Sequence, residues 1–165
     1  RNILTPDKCR VYWYVDETSR KIITEEAEKY QILPFMDFKG YVPASEIPSI
    51  LNSSSVLLLL TNRAANSGPK GVMTTKFFES LAVEKPVLCV RSDESYLAEA
   101  INDANAGLAA TNVNEVCDFL KSYYQEWKEK RYTSSSIKKS KLVRFSRKEQ
   151  AKQFIQIFEK VEING

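Results

Sequence analysis

Residues Ser67–Val90 read SGPKGVMTTKFFESLAVEKPVLCV, and the reading of this stretch decides the fold. A Gly- and Pro-bearing loop leads into a helix opening at Met73 to Thr75, and a buried strand starts at Pro86. Just upstream, SSVLLLLT (Ser54–Thr61) is an apolar run short enough to be a strand buried on both faces. Strand, loop, helix and buried strand make a parallel βαβ unit. In open α/β sheets ligands bind beyond the carboxyl ends of the strands, which is where this loop falls.

Within the helix, Phe77, Phe78, Leu81 and Ala82 form an apolar stripe expected to face the sheet. Lys76, Glu79 and Val83 form an adjoining stripe reached from the loop side. Thr74 and Thr75 are placed to cap the amino end, whose free N–H groups and dipole attract anions. Gly71 admits close backbone approach, so Gly71, Met73, Thr74 and Thr75 line a loop and helix start suited to a diphosphate. Glu79, about one turn further in, can accept two hydroxyl hydrogens from a ribose, each bond contributing roughly 1.5–3 kcal/mol. A second reading stays open: Lys76 and Glu79 as a surface i,i+3 pair of about 0.2–0.5 kcal/mol, and the threonines as caps without a ligand. A P-loop is excluded because GxxxxGK[ST] fails at Lys76, and no GxGxxG occurs in the chain.

The segment GVMTTKFFESLAVEKPVL resembles the donor-binding motif of group 1 (family four) glycosyltransferases, G-x-x-x-x-K-x-x-E-x-x-A-x-x-K-P-V. Upstream, FKGYVPASEIPSILNSSSVLLLL is similar to the family's G-x-V with its short helix and buried strand. Downstream, AGLAATNVNEVCDFL and RFSRKEQAKQFIQIFEKV are similar to its G-L segment and terminal helix, so the resemblance covers Met36 to Val161. The resemblance implies one half of a two-domain GT-B enzyme, a retaining hexosyltransferase acting on a glycan or lipid-linked acceptor. This half would bind a nucleotide-sugar such as a UDP- or GDP-hexose, with no metal and no further cofactor. By the same implication Glu79 holds the ribose, Thr74 to Lys76 the diphosphate, and Tyr41 and Val42 the base. Lys76 would take the catalytic part, stabilising the diphosphate leaving group. The partner would be an acceptor-binding amino-terminal half outside this chain. Many members carry a second glutamate eight positions before the one matching Glu79, and that position here is Gly71. A non-catalytic Rossmann-like binding module, and half of a GT-B sugar-nucleotide epimerase, are the alternative readings.

At 165 residues the chain is long enough for one domain with a sizeable core. It opens at Arg1 without a Met, and is read as a piece of something longer. Three widely spaced cysteines (Cys9, Cys89, Cys117) without a CxxC point to a reducing, cytoplasmic setting. The absence of histidine removes His-based acid/base chemistry and most zinc sites. From Lys121 to Lys160, twelve Lys and Arg stand against four acids, a net +8 that leaves about −5 for the remainder. Such a run reads as a solvated face or as peripheral contact with the anionic inner face of a membrane. No RRM, HTH or KH signature points to nucleic acid.

In order, Val11–Val15 is expected as a strand with Trp13 in the core. Thr18–Ile32 follows as a helix with Ile22, Ile23, Ala27 and Tyr30 on one side, and Phe35–Val42 as a strand ending at the ligand edge. Ala44–Leu51 is a short helix. Ser92 to Asn105 is a helix with Leu97, Ala100 and Ile101 apolar, and Ala106–Ala110 a strand. Asn112–Lys130 is a long helix with Val116, Phe119, Leu120, Tyr123, Tyr124 and Trp127 apolar. Tyr132–Lys141 reads as a Ser- and Lys-rich linker, and Ser146–Glu162 as a final helix leaving apolar surface exposed. The fold class is α/β: a Rossmann-like doubly wound parallel sheet of about five or six strands flanked by helices. Residues 1–145 would form the donor-binding domain, and 146–165 a helix crossing back to the other half.

Overall fold

The computed structural model describes residues 4–60, 73–90 and 95–163. The loop at 67–72, with Gly71, and the helix start expected at Ser92, Asp93 and Glu94 lie outside the described residues. The chain divides into two compact units, Arg1–Ile47 and Pro48–Gly165.

In the first unit, strand β1 (Val11–Trp13), helix α1 (Glu17–Lys29), a 3-10 turn (Leu33–Phe35) and strand β2 (Met36–Phe38) form a parallel βαβ unit. Val11 pairs with Met36 and Trp13 with Phe38. Helix α1 starts where the extended Asp16 turns its carboxylate back to accept the Ser19 N–H at 2.8 Å. It ends in a Schellman motif, with Gln31 left-handed (φ 56°), its N–H on Glu28 O and the Ile32 N–H on Ala27 O. Ala27 is buried and Trp13 half-buried, its Nε1 donating to Met36 Sδ at 2.9 Å. Ile22 and Tyr30, expected beside Ala27, are exposed. Two strands of three residues cover only a narrow stripe of the helix, and Tyr30 already lies at its cap.

Helix α2 (Ile47–Ser53) starts at the last residue of the first unit and leads into the second, which continues as β3 (Leu57–Leu60), α3 (Thr75–Ala82), β4 (Val87–Val90), α4 (Ser95–Ala104) and β5 (Gly107–Ala110). Then follow α5 (Val113–Lys130), α6 (Lys139–Leu142), a 3-10 turn (Val143–Phe145) and α7 (Arg147–Ile163). The strands run parallel in the order β3-β4-β5, with Leu57, Val87 and Gly107 in register. The described residues thus hold seven helices and five strands in an α/β, broadly Rossmann-like arrangement. The single sheet of about five or six strands is not made: β1 pairs with β2, and β3 with β4. Hydrophobic periodicity reports which face a strand buries and carries no information about its lateral neighbour.

On one face of the three-stranded sheet, Leu59, Val87 and Cys89 pack with Phe77 and Leu81 of α3 and Leu97, Ala100, Ile101 and Ala104 of α4. The opposite face is covered unevenly, because α5 lies against β5 at the far edge. Leu88 and Ala110 are buried there, whereas Leu58 is 38% and Leu60 56% exposed. The expectation of a strand buried on both faces therefore fails for β3, which stands at an edge. Val116, Phe119, Leu120, Tyr123, Tyr124 and Trp127 of α5 are all half-buried, as the sequence pattern requires.

Residues 132–141 are fastened rather than linking. Thr133 is buried and donates Oγ1 to Ser55 O at 2.6 Å, and Asn105 Nδ2 donates to Ser136 O at 2.7 Å. The Lys138 N–H reaches Ala104 O, Lys139 pairs with Glu84 at 3.1 Å, and Lys141 pairs with Asp103 at 3.1 Å. Composition cannot foresee such bonds, since each joins residues remote in sequence. Beyond them, α7 exposes Phe154, Ile155, Ile157 and Phe158. No helix among the described residues is long and apolar enough to cross a membrane.

Candidate functional site

Helix α3 carries the candidate site. Its buried arc consists of Phe77 (0% exposed), Leu81 (3%) and Ser80 (2%), with Phe78 half-buried. Ser80 enters the core because its Oγ donates to Lys76 O one turn back at 2.7 Å, which satisfies the hydroxyl without solvent. Ala82, expected on the sheet-facing stripe, is exposed instead, so the helix is turned toward the Ser80 side of the expected orientation. At 100° per residue, this leaves Thr75, Lys76 and Glu79 on the side away from the core.

Thr75 and Lys76 are exposed, and Met73, Thr74 and Glu79 are half-buried. Thr74 stands at the cap position in extended conformation (φ −87°, ψ 149°), yet its side chain makes no capping bond. Among the described residues the hydroxyl has no hydrogen-bond partner. Met73 packs against the core cluster as a partly buried side chain. Among the described residues Lys76 and Glu79 do not pair with each other and have no other side-chain partner. The surface-pair reading of these two residues is therefore not what the structure contains. A lysine, a carboxylate one turn on, and an idle threonine hydroxyl at the helix start together offer one cationic, one anionic and one neutral polar contact. Gly71, which the sequence adds to this turn, is outside the described residues.

Tyr41 and Val42 belong to the first unit, just past β2. Gly40, left-handed at φ 74°, turns the chain out of the strand. Tyr41 is 81% exposed, with its hydroxyl donating to Asp16 Oδ2 at 3.4 Å, and Val42 is half-buried. The Ser19 N–H and hydroxyl, and then Tyr41, hold the Asp16 carboxyl below its ordinary value. Asp16 was not singled out by sequence reasoning as a partner for Tyr41. Its cap to Ser19 was legible in the D-E-T-S tetrad, whereas its contact 25 residues away was not. The structure thus places Met73, Thr74, Thr75, Lys76 and Glu79 at the start and first turns of α3 in the second unit, and Tyr41 and Val42 just past β2 in the first.

Two shallow surface depressions lie elsewhere, one along Glu17, Arg20, Lys21, Thr24 and Glu25 of α1, the other against Tyr123, Glu126, Lys130 and Ser134. No cluster of three His, Cys, Asp or Glu able to hold a metal occurs among the described residues. Comparison with models of known families, with curated proteins and with solved structures gave no match.

Proposed function

We propose that this chain is the nucleotide-sugar-binding half of a GT-B glycosyltransferase. As part of a longer chain it would pass a hexose from a UDP- or GDP-linked donor to a glycan or lipid-linked acceptor. The observation that carries this reading is the accessible face of α3, where Lys76 and Glu79 stand three residues apart without side-chain partners among the described residues. That face coincides with the K-x-x-E of the K-x-x-E-x-x-A-x-x-K-P-V resemblance. In the proposed mechanism Glu79 accepts the two ribose hydroxyls and orients the donor. The Thr74 and Thr75 hydroxyls and the N–H groups at the start of α3 receive the diphosphate. As the glycosidic bond breaks, negative charge builds on the leaving diphosphate, and Lys76 with the positive end of α3 stabilises it. Acceptor binding falls to the other half, and the basic segment 121–160 suits peripheral contact with an anionic surface.

Titration calorimetry with UDP, GDP and ADP in turn tests the reading and names the base. Glu79→Ala should weaken the preferred nucleotide about 10- to 100-fold, at roughly 1.4 kcal/mol per decade. Equal affinity in both proteins would remove Glu79 from the site. A non-catalytic binding module is the second reading, favoured by Gly71 where many members of the family have a second glutamate. Nucleotide binding without any sugar transfer by the longer protein would select it.

A further inference from the structure

We infer that Phe145, near the other end of the chain, is a positioning residue for the α3 site; the inference rests on the nucleotide-binding reading above. Helix α3 has eight residues and an N-cap side chain that makes no capping bond. A helix that short takes its orientation from tertiary packing rather than from its own hydrogen bonds. Its packing is aromatic. The Phe145 ring meets Phe77 edge-on at 5.7 Å and 89°, and Phe78 at 5.8 Å and 60°, while Phe77 and Phe78 are 5.6 Å apart. These are the separations at which aromatic rings attract and fix one another's tilt.

Phe77 and Phe78 lie in sequence between Lys76 and Glu79. Any roll of α3 about its axis that moves the two rings moves the lysine and the carboxylate by the same angle. Phe145 blocks that roll on the side of Phe78, whose ring is only half-buried. Phe145 is itself held firmly. The Arg144 guanidinium sits 4.5 Å over its ring and pairs with Asp103 of α4, which also takes Lys141. Lys139 reaches Glu84 immediately beyond α3. Residues 138–145 therefore clasp α3 at its carboxyl end and α4 along its last turn, with Phe145 as the wedge between this clasp and the turn bearing Lys76 and Glu79.

The test uses the full 165-residue chain, with calorimetric affinity for UDP and GDP as one readout and amide hydrogen exchange in α3 as the other. Phe145→Ala, at a temperature where circular dichroism shows it folded, should bind the preferred nucleotide about fivefold or more weakly, and Phe145→Leu within about twofold of the parent. Thr133→Val loosens the same unit at Ser55 instead of the ring cluster, and should leave affinity unchanged. If Phe145→Ala does not fold, Phe145→Leu decides: faster exchange at 76–79 than in α4 supports the inference, and unchanged exchange overturns it. A folded Phe145→Ala with parental affinity also overturns it. A parent that binds no nucleotide would instead sink the nucleotide-binding reading itself.

Discussion

Replacing Gly107 with alanine would set a methyl carbon 1.9 Å from the Val87 carbonyl oxygen and 2.7 Å from its amide nitrogen. Ordinary contact there is 3.4–4 Å, so the two strands must part by well over an ångström. They have little room to do so. Val87 sits on the central strand, in register with Leu57 on one side and Gly107 on the other, and its N–H already donates to Ala106 O at 2.9 Å. The φ of 153° adds strain, since it lies where only glycine moves freely. Overpacking costs about 1–3 kcal/mol and a strained backbone residue about the same, so a loss of roughly 2–6 kcal/mol, centred near 4, is expected. At a urea slope of about 2 kcal/mol per molar, the midpoint should fall by roughly 2 M. Tryptophan fluorescence can follow it in a Trp13→Phe background, because Trp127 on α5 is then the sole tryptophan. Gly40→Ala, in the first unit and read from Trp13 in a Trp127→Phe background, is the control: φ is 74° but nothing lies within 4 Å of the added methyl, so only the strain of about 1–2 kcal/mol applies. A Gly107→Ala midpoint within about 0.3 M of its parent, or a loss no larger than that of Gly40→Ala, would refute the close-approach argument.

Gln31→Gly should stabilise the first unit by about 1 kcal/mol in the same assay read from Trp13, because the Schellman turn holds a left-handed residue with a Cβ at φ 56°. A destabilised variant would mean that the Gln31 side chain does more than tolerate the turn. The Lys141 hydrogen bond, and then Arg144, hold the Asp103 carboxyl below its ordinary value; the Ser134 hydroxyl and Lys130 do the same to Glu126. Each folded value lies below the unfolded one, so the stabilisation is complete above the unfolded value and is lost as pH falls through the lowered one. The urea midpoint should therefore be nearly flat from about pH 7 to 5 and drop below about pH 4. Asp103→Asn should flatten that drop, and an unaltered pH profile in the variant would exclude Asp103 from it.

The sequence pattern carried element type well wherever burial was periodic. Leu97, Ala100 and Ile101 are all buried, and the six apolar positions of α5 all face inward by half. It failed where one hydrogen bond reversed a hydropathy argument: Ser80 is inside and Ala82 outside because Ser80 can satisfy its hydroxyl on Lys76 O. It failed again at 132–141, whose composition is that of a linker and whose anchors are residues such as Ser55, Glu84 and Asp103. Of the candidate site, the shared face of Lys76 and Glu79 followed from their spacing. Neither Tyr41 on Asp16 nor Phe145 on Phe77 could be read locally, since both are contacts between distant segments.

Strand β3 offers four leucines in succession, with β4 as its only ladder partner among the described residues and Leu58 and Leu60 open to solvent on one side. An uncharged, apolar edge of this kind is a template on which identical chains can stack. Handled in isolation, this polypeptide should therefore be limited in concentration by fibrillar self-association nucleated at Leu57–Leu60, and a lysine at position 60 is the gatekeeper that would slow it.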